Sequence, residues 1–501
     1  MMAQSSPVPG YPLQKLLQGL IDAAIPASCA ICGITLDSRK VRPGDLFIAL
    51  GGSREHGAAY IAQAIERGAV AVLVDGQSGD VSAAVPLVAV TGLRAKVGHI
   101  AARFFGEPSR VMVMYGITGT NGKTSVSQFI AQALSVDAPC GVNGTLGSGI
   151  YGALHSTGHT TPDAVTLQAE LAAQQAAGAS AAVMEVSSHA LDQQRVAGVA
   201  FDVAVYTNLS HEHLDYHGDM AAYALAKRRL FQCEGLKSAV LNLDDAIGGQ
   251  WFAELQGQLD CIGYGFGTLA HQVEGKVLRG SELQLCPVGL TFTVSSSWGE
   301  ARIATALLGE FNAANLLAAL GALLAGGMSF DTAVQRLKQV RTVPGRMERF
   351  GTVHQPTVVV DYAHTPDALE QVLQALRGHC AGTLWCVFGC GGDRDRAKRP
   401  LMGQLAEALA DRVVLTDDNP RSENPWDIIE DIQRGMKEPD AAYVMRDRAA
   451  AIGHAIGMAE AGDIVLVAGK GHETEQLIAG RVLPFSDREE VARCLRERGD
   501  A

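Results

Sequence analysis

The stretch Gly116-Ile117-Thr118-Gly119-Thr120-Asn121-Gly122-Lys123-Thr124-Ser125 decides the fold of this chain. It follows the apolar run Val111–Tyr115, which predicts a strand, and it precedes a helical pattern of apolar residues. Glycines at such a point let successive backbone N–H groups surround a phosphate, and the helix N-terminus adds its dipole. Lys123 would neutralise the outer phosphates of a nucleotide, and the Thr124 hydroxyl is a ligand that Mg²⁺ accepts. A strand, a glycine-rich loop and a helix in this order predict a nucleotide-binding α/β domain.

The loop departs from the strict phosphate-binding pattern at one position. Ile117 stands where the first glycine usually lies, and Gly116 comes one residue earlier. A glycine-rich structural turn is the alternative interpretation, but it leaves Lys123 without a role. The sequence therefore predicts ATP binding by the loop residues Gly116, Thr118, Gly119, Thr120, Asn121, Gly122, Lys123 and Thr124.

Around this loop, the 501 residues alternate short apolar strands with helical stretches, which predicts an α/β fold with largely parallel sheets. The length corresponds to about three domains. We expect the domains to be 1–107, 108–342 and 343–501, with the second boundary at the Pro-Gly joint 341–346. In the second and third domains, polar clusters follow the strands. Because ligands bind at the carboxyl ends of parallel strands, a ligand site is expected there.

Composition excludes several classes of protein. With 41 basic and 53 acidic residues the formal net charge is −12, and no basic tract is present, so neither nucleic acid nor an anionic membrane is an expected partner. Hydrophobic residues at 47% exclude a disordered chain. Phe311–Phe330 is uncharged but contains two asparagines and three glycines, which favours a buried helix over a membrane span. Ten scattered cysteines and no signal-peptide pattern predict a cytoplasmic protein with reduced thiols, and we expect a monomer.

Two strand ends carry candidate ligands for a divalent ion. Glu185 follows the predicted strand Ala181–Met184, and His213 lies in the cluster 208–217, which holds three histidines and two acids. Next to an ATP loop, Mg²⁺ held by Glu185 and His213 is favoured. A zinc site is the alternative, but no cysteine joins the cluster. No ligand role is assigned to the remaining histidines His189, His211 and His217.

Further candidates lie near and within the third domain. Asn312 and Asn315 are three residues apart on one helix face, where they would either recognise a nucleotide base or form an N-cap and one core hydrogen bond. Asp361 and His364 follow a predicted strand and are available to a ligand, whereas Thr365-Pro366 caps the next helix.

Taken together, these motifs resemble the Mur ligase family over essentially the whole chain. Residues 118–124 are similar to the family's ATP loop, 185–189 to its Mg²⁺ and substrate strand, 208–217 to its metal loop, and 361–364 to a nucleotide contact. The segments 36–39 and 44–47 resemble its uridine-nucleotide domain. The resemblance implies a smaller N-terminal α/β domain for the uridine nucleotide, a central ATPase domain with a P-loop type, mostly parallel sheet, and a Rossmann-like C-terminal domain.

The resemblance also implies an activity. It is that of an ATP-dependent amide ligase, which adds meso-2,6-diaminopimelate to UDP-N-acetylmuramoyl-L-alanyl-D-glutamate through an acyl phosphate, in the synthesis of peptidoglycan precursors. Three alternatives stay open at this point: the same reaction with L-lysine, a folylpolyglutamate-synthase-like ligase, and a nucleotide-binding regulator without catalysis.

Roles of individual residues follow from the same resemblance. Lys123, His213 and Lys227 would be catalytic, and Lys227 would be carbamylated to N6-carboxylysine. Thr124, Glu185, His213 and the modified Lys227 would hold two Mg²⁺ ions. Without the resemblance, Lys227 would be interpreted as a solvated helix lysine. ATP would also contact Asn312, Asn315, Arg346, Asp361 and His364. The UDP-sugar peptide would contact Leu36, Ser38, Ser53, Arg54, Glu55, Thr160, Thr161, Ser187, Gln193 and Arg195.

By the same resemblance, an arginine would bind the amino-acid substrate. The resemblance implies that Arg421 pairs with a carboxylate of diaminopimelate, which a guanidinium binds in a bidentate way that lysine cannot. Asp418 or Glu473 would hold an ammonium group, and a surface turn is the alternative for this segment. The full implied set is Arg394, Asp418, Asn419, Pro420, Arg421, Gly469 and Glu473. One departure is that His211-Glu212 stands where the family usually has Arg-Asp, which leaves the hydrogen bonding around His213 open.

Overall fold

The computed structural model describes residues 10–21, 29–51, 57–76, 85–352 and 354–499. The chain divides into two compact units. One comprises Met1–Gly263 with Gly321–Met328, and the other comprises Tyr264–Leu320 with Ser329–Ala501. Both units contain parallel strands with helices between them.

The first unit begins with four parallel strands in the order β3-β4-β5-β6. The central strand β4 is buried along its whole length, and apolar residues of α1 and α3 share one core with it. The elements of this region are β1 (Tyr11–Pro12), α1 (Leu13–Leu17), β2 (Ala30–Ile31), β3 (Gly33–Thr35), β4 (Asp45–Ala49), α2 (Ile61–Glu66), β5 (Ala71–Asp75), β6 (Leu87–Val90) and α3 (Leu93–Phe104).

A larger sheet follows, in which parallel strands lie in the order β8-β11-β7-β12-β13 and β9 and β10 extend the β8 edge antiparallel. Because β7 lies between β11 and β12, the polar segments that follow these three strands meet at one edge of the sheet. The elements are β7 (Val113–Thr118), α4 (Lys123–Leu134), β8 (Cys140–Gly144), β9 (Gly147–Ile150), β10 (Ala153–His155), α5 (Ala164–Ala176), β11 (Ala181–Glu185), α6 (Ser188–Asp192), β12 (Val203–Tyr206), α7 (Leu214–His217), α8 (Met220–Arg228), β13 (Ser238–Asn242), α9 (Ala246–Leu255) and β14 (Asp260–Gly265).

The chain then forms three antiparallel strands and three helices. These are α10 (Thr268–Gln272), β15 (Val277–Cys286), β16 (Gly289–Ser296), β17 (Gly299–Thr305), α11 (Glu310–Ala325) and α12 (Phe330–Leu337). Strand β16 alternates buried and half-buried residues, and β17 is more exposed, which is typical of an antiparallel sheet with one solvated face. Most apolar residues of α11 are fully buried, as the sequence predicted, although Phe311 in its first turn is exposed. None of the described helices is long and apolar enough to cross a membrane.

The remaining residues form a six-stranded sheet in the order β18-β19-β23-β20-β21-β22, in which only β18 is antiparallel to its neighbour. Alternate residues of β19 belong to two different core clusters, so helices cover both faces. The elements are β18 (Glu348–Phe350), β19 (Thr357–Asp361), α13 (Pro366–Arg377), β20 (Leu384–Phe388), α14 (Lys398–Leu409), β21 (Arg412–Leu415), α15 (Pro425–Gln433), β22 (Tyr443–Val444), α16 (Arg448–Met458), β23 (Ile464–Ala468), β24 (Glu475–Ile478), β25 (Arg481–Pro484) and α17 (Asp487–Gly499).

One difference from the sequence prediction concerns the strand before the glycine-rich loop. Strand β7 continues to Thr118, three residues beyond the predicted strand, because Thr118 pairs with Tyr206 of β12. Gly116 is therefore a strand residue, and a Cβ there would lie 2.8 Å from the ring of Phe201. The predicted Thr365 cap is confirmed, since its hydroxyl accepts the Ala368 N–H at 3.3 Å.

Candidate functional site

The glycine-rich loop between β7 and α4 is held by the residues that follow β12. The Thr207 hydroxyl donates to the Asn121 carbonyl at 2.6 Å, and Asn208 Oδ1 accepts the Asn121 N–H at 2.9 Å. Gly119 lies so close to β12 that a Cβ would be 1.8 Å from Thr207 Oγ1. Lys123, the first residue of α4, folds its ammonium group over the loop and donates to the Gly119 and Thr120 carbonyls at 2.9 and 2.7 Å. These contacts therefore fix the conformation of the glycine-rich loop.

A buried carboxylate lies beside this loop. Glu185, the last residue of β11, is 1% exposed, and its Oε2 accepts the Thr124 hydroxyl at 2.9 Å. Its other oxygen accepts the Thr145 N–H at 2.9 Å, a contact that the sequence analysis missed because Thr145 follows an unremarked strand. A hydroxyl and a carboxylate form a hard oxygen donor set, which fits Mg²⁺. Across the described residues, no group of three or more His, Cys, Asp or Glu side chains could hold a metal by itself.

Lys227, in α8, is buried rather than solvated as its sequence position alone suggested. It is 1% exposed and donates to the Gly119 carbonyl at 2.8 Å, the same oxygen that Lys123 contacts. Burial, and then the charge of Lys123, lowers the pKa of Lys227 well below its usual value. Its nitrogen also lies 4.3 Å from the centre of the Tyr223 ring. The surroundings of Lys227 therefore favour the neutral form of its amine.

His213 lies in a group of rings and is more exposed than Glu185. Its side chain is 45% exposed, 3.8 Å from Glu212, and its backbone has a positive φ of 58°. The His189 ring packs 4.9 Å from His213 and 4.2 Å from Tyr216. Burial lowers the pKa of His189, which keeps it neutral near pH 7.

The residues predicted to hold the peptidyl portion form one network next to Glu185. Arg195 donates to the Thr161 carbonyl at 2.9 Å and to Gln193 Oε1 at 2.7 Å. The Thr161 hydroxyl donates to the Glu185 carbonyl at 2.9 Å and lies 3.4 Å from Ser187 Oγ. Thr160 joins the same network through Thr145, their hydroxyl oxygens being 3.1 Å apart.

The predicted uridine-nucleotide residues lie in the small sheet region. Ser38 is buried, and its hydroxyl donates to Gln63 Oε1 at 2.7 Å. Leu36 is half-buried and packs against the core formed by α1, β4 and α3. The other predicted residues, Ser53, Arg54 and Glu55, lie outside the described residues.

The predicted nucleotide residues of the second unit form a compact set around Tyr362. Asp361 accepts the Met347 and Ala363 N–H groups at 2.7 and 2.8 Å. The Arg346 guanidinium lies over the Tyr362 ring at 4.6 Å, and Nε of Arg346 is buried with no hydrogen-bond partner in the described part of the chain. His364 Nδ1 is 2.8 Å from the Tyr362 carbonyl, and burial lowers the pKa of His364.

Asn312 and Asn315 lie in the first two turns of α11 and are nearly buried. The Asn312 amide donates to the Leu308 carbonyl at 2.7 Å, and the Asn315 amide donates to Asn312 Oδ1 at 3.0 Å. These contacts lie within the helix and its preceding turn, and neither asparagine caps the helix, which begins at Glu310. The contact of Asn312 and Asn315 with ATP stays a prediction.

The segment 418–421 follows β21 and is held by a lysine that follows β23, two strands away in the same sheet. Lys470 is fully buried and donates to Asn419 Oδ1 at 3.2 Å and to Glu473 Oε2 at 2.9 Å. No role was predicted for Lys470, although its position directly after the buried strand β23 could have indicated a ligand site. Asp418 is buried, and its Oδ1 has no hydrogen-bond partner within the described residues. Burial raises the pKa of Asp418 despite the nearby Arg448 and Lys470.

The backbone conformation of Arg421 is fixed by hydrogen bonds on both sides of the residue. It has a positive φ of 55°, and its N–H and carbonyl pair with Leu477 and Ala479 at 2.9 and 2.8 Å. Its Nη1 donates to the Gly392 carbonyl at 2.7 Å, next to the exposed Arg394. The predicted diaminopimelate residues Arg394, Asp418, Asn419, Pro420, Arg421, Gly469 and Glu473 therefore lie on adjoining loops of one sheet.

Three family models together match most of the chain. The Mur ligase middle domain matches residues 117–323, the Mur ligase glutamate ligase domain matches 345–471, and the Mur ligase family catalytic domain matches 30–105. A protein from Coxiella burnetii named UDP-N-acetylmuramoyl-L-alanyl-D-glutamate–2,6-diaminopimelate ligase is 50% identical over 487 residues, covering 96% of this chain and 99% of that protein.

The chain belongs to the Mur ligase family.

A protein of the same name from Alkalilimnicola ehrlichii is 52% identical to this Mur ligase, covering 97% of the chain and 99% of that protein. A solved structure of a UDP-N-acetylmuramoyl-L-alanyl-D-glutamate–2,6-diaminopimelate ligase superposes with a TM-score of 0.74 at 39% identity, covering 98% of this chain and 99% of that one. The expected N-terminal, middle ATPase and C-terminal Mur ligase domains, with mostly parallel sheets, are confirmed. The boundaries 1–107, 108–342 and 343–501 stay a prediction.

Proposed function

We propose that this Mur ligase adds meso-2,6-diaminopimelate to UDP-N-acetylmuramoyl-L-alanyl-D-glutamate at the expense of ATP, in peptidoglycan precursor synthesis. The observation that carries the proposal is the identity of about half of all residues, along nearly the full length, to ligases named for this reaction. The segment that carries Asp418, Arg421 and Glu473 supports it, because an amino acid with an ammonium group and two carboxylates needs both signs of charge. Within the described residues, the buried Asp418 Oδ1 accepts no hydrogen bond and lies 3.8 Å from Lys470 Nζ.

The first step is the activation of a carboxylate. An oxygen of the D-glutamyl side-chain carboxylate attacks the γ-phosphorus of ATP, and ADP leaves, which gives an acyl phosphate. Phosphoryl transfer depends on positioning and charge neutralisation, so Lys123 must leave the Gly119 and Thr120 carbonyls and turn to the phosphates. The network of Thr161 and Arg195 beside Glu185 supports their proposed role in holding the peptidyl portion near the loop.

The second step forms the amide. The diaminopimelate amine attacks the acyl carbon, phosphate leaves, and the amine loses a proton. Arg421 and Arg394 would bind carboxylates of the amino acid, while Asp418 and Glu473 would accept its ammonium group. The nearby cations Arg448 and Lys470 favour the ionised form of Asp418, which is the form that accepts an ammonium group.

Mg²⁺ would be held by Thr124, Glu185, His213 and carbamylated Lys227, and when bound it would neutralise phosphate oxygens. The buried Lys227 supports the modification, since a neutral amine is the form that reacts with carbon dioxide. Carbamylation changes an amine that would repel Lys123 when protonated into an anion that attracts it. The proposed count of two Mg²⁺ ions rests on this added anion.

The remaining proposed roles concern the two nucleotides. The unpartnered Arg346 Nε and the position of His364 beside Tyr362 support a contact of ATP with Arg346, Asp361 and His364. The UDP-sugar would contact Leu36, Ser38 and the segment 53–55. Use of ATP and ten free cysteines favour a cytoplasmic reaction, and a monomer is proposed.

The test is the release of phosphate from ATP. We expect release only when UDP-N-acetylmuramoyl-L-alanyl-D-glutamate and meso-diaminopimelate are both present, with a UDP-linked tripeptide as the product. Release with a folate and glutamate would instead support the folylpolyglutamate-type alternative, and nucleotide binding without turnover would support the regulator.

A further inference from the structure

A fully buried arginine lies between the two loops that carry the proposed diaminopimelate-binding arginines. Loop 389–397 follows β20 and carries Arg394, whereas loop 416–424 follows β21 and carries Arg421. Arg399, in the first turn of α14, is 0% exposed, and no substrate role has been assigned to it.

The guanidinium of Arg399 connects both loops. Its two terminal nitrogens donate to the two carboxylate oxygens of Glu423 at 2.9 and 3.1 Å, a bidentate pair. One nitrogen also donates to the Gly391 carbonyl at 3.2 Å, and the other to Asp431 Oδ2 at 3.0 Å. A single side chain therefore contacts the backbone of the first loop, a carboxylate of the second loop and helix α15.

Glu423, in loop 416–424, also binds residues of loop 389–397. Its carboxylate accepts the Asp393 N–H at 2.5 Å and the Arg396 side chain at 2.7 Å. The hydrogen bonds from Arg399 hold the pKa of Glu423 at about 2, so the carboxylate is ionised at neutral pH. Asp393 and Glu423 thus bring the loops together one residue from Arg394 and two residues from Arg421.

The backbone conformation next to both arginines needs this support. Asp393 and Arg421 have positive φ angles of 54° and 55°, a region that non-glycine residues adopt at a cost and keep only where surrounding contacts fix them. Three further contacts join the loops: Arg421 Nη1 to the Gly392 carbonyl at 2.7 Å, the Ser422 hydroxyl to Asp393 Oδ1 at 2.7 Å, and the Gly392 N–H to the Asn419 carbonyl at 2.9 Å.

We propose that Arg399 and Glu423 form a clamp that fixes the distance between Arg394 and Arg421, and that both are positioning residues for selecting an amino acid with two carboxylates. The clamp rests on the proposed function. If the clamp is lost, the two loops become more mobile. The binding of meso-diaminopimelate should then weaken more than the binding of ATP, because in the proposed function only meso-diaminopimelate contacts both loops.

The test compares Glu423→Gln with Asp431→Asn. Both variants remove one carboxylate charge from Arg399, but only Glu423 also contacts loop 389–397. We expect Glu423→Gln to raise the KM for meso-diaminopimelate about tenfold or more, since a small misplacement of binding groups is costly, with the KM for ATP nearly unchanged. Asp431→Asn should lower the melting temperature comparably and leave both KM values near those of the wild type.

Amide hydrogen exchange of the free enzyme provides a second readout. Segment 390–396 should exchange several-fold faster in Glu423→Gln and at the wild-type rate in Asp431→Asn. If Glu423→Gln does not fold, Glu423→Asp keeps the charge but is too short to reach both loops, and the same changes are expected. Equal exchange and equal KM shifts in the two variants, or no shift in either, would overturn the clamp. A wild-type enzyme that does not ligate meso-diaminopimelate would overturn the proposed function, and exchange would still report on the clamp.

Discussion

At the residue scale, the proposed function depends on two lysines, Lys123 and Lys227, which differ in their contacts and burial. Lys123 folds over its own loop and donates to two backbone carbonyls, so its ammonium group is available to a phosphate that displaces these weaker acceptors. We predict that Lys123→Ala lowers kcat by a factor on the order of 10³, as for the loss of other preorganised electrostatic groups. Steady-state phosphate release measures this. Turnover within about tenfold of the wild type would contradict the role of the loop.

Lys227 contacts the same carbonyl but is buried, and we predict a distinct behaviour for it. Lys227→Ala should be almost inactive and partly restored by a short carboxylic acid, which replaces the carbamate. Lys237→Ala is the matched control, because Lys237 is 75% exposed and pairs with Asp202 away from the loop. An unrescued Lys227→Ala variant, together with unmodified Lys227 in the mass spectrum of active enzyme, would contradict the carbamate.

The lowered pKa of Lys227 also predicts a pH dependence of stability. In carbonate-free buffer, the unfolded chain binds a proton on this lysine up to its usual pKa of about 10.4, whereas the folded chain releases it at lower pH. The free energy of unfolding should therefore rise with pH between the folded-state pKa and pH 10, and Lys227→Met should lack this rise. Urea denaturation across this range measures it, and parallel curves for the two proteins would contradict the buried amine.

At the element scale, the C-terminal sheet is held by a buried ion pair between two helix starts. Arg448 begins α16 and Asp487 begins α17, both are nearly or fully buried, and two 2.7 Å hydrogen bonds join them. We predict that Arg448→Met destabilises the protein by about 3–5 kcal/mol, because Asp487 is left buried without a partner. The double variant Arg448→Met/Asp487→Leu should recover most of this loss. A single variant as stable as the wild type in urea would contradict this account.

The elements themselves were largely predictable, whereas the contacts between them were not. The sequence correctly placed the strand before the phosphate loop, the buried helix α11 and the Thr365 cap, because each depends on neighbours within a few residues. It did not predict the burial of Lys227 or the roles of Thr145, Arg399 and Lys470. These depend on contacts across tens of residues, such as that of Lys227 with Gly119, which periodicity does not encode.

At the scale of the whole molecule, the proposed ATP loop lies in one compact unit and the proposed amino-acid site lies in the other. Each unit contains parallel strands, and the candidate site residues of each unit follow the carboxyl ends of those strands. The family models cover both units, so ligation is a property of the complete chain. In the proposed function, the loops around Arg421 carry the specificity for the amino acid.

The most direct test of the central claim is the ratio of kcat/KM for meso-diaminopimelate and L-lysine in the wild-type enzyme. L-lysine lacks the second carboxylate and would leave a guanidinium of the site unpaired, so discrimination of about 10⁴-fold or more is expected for a site built to bind that group. Comparable values for the two amino acids would contradict the account of Arg421 and its loop.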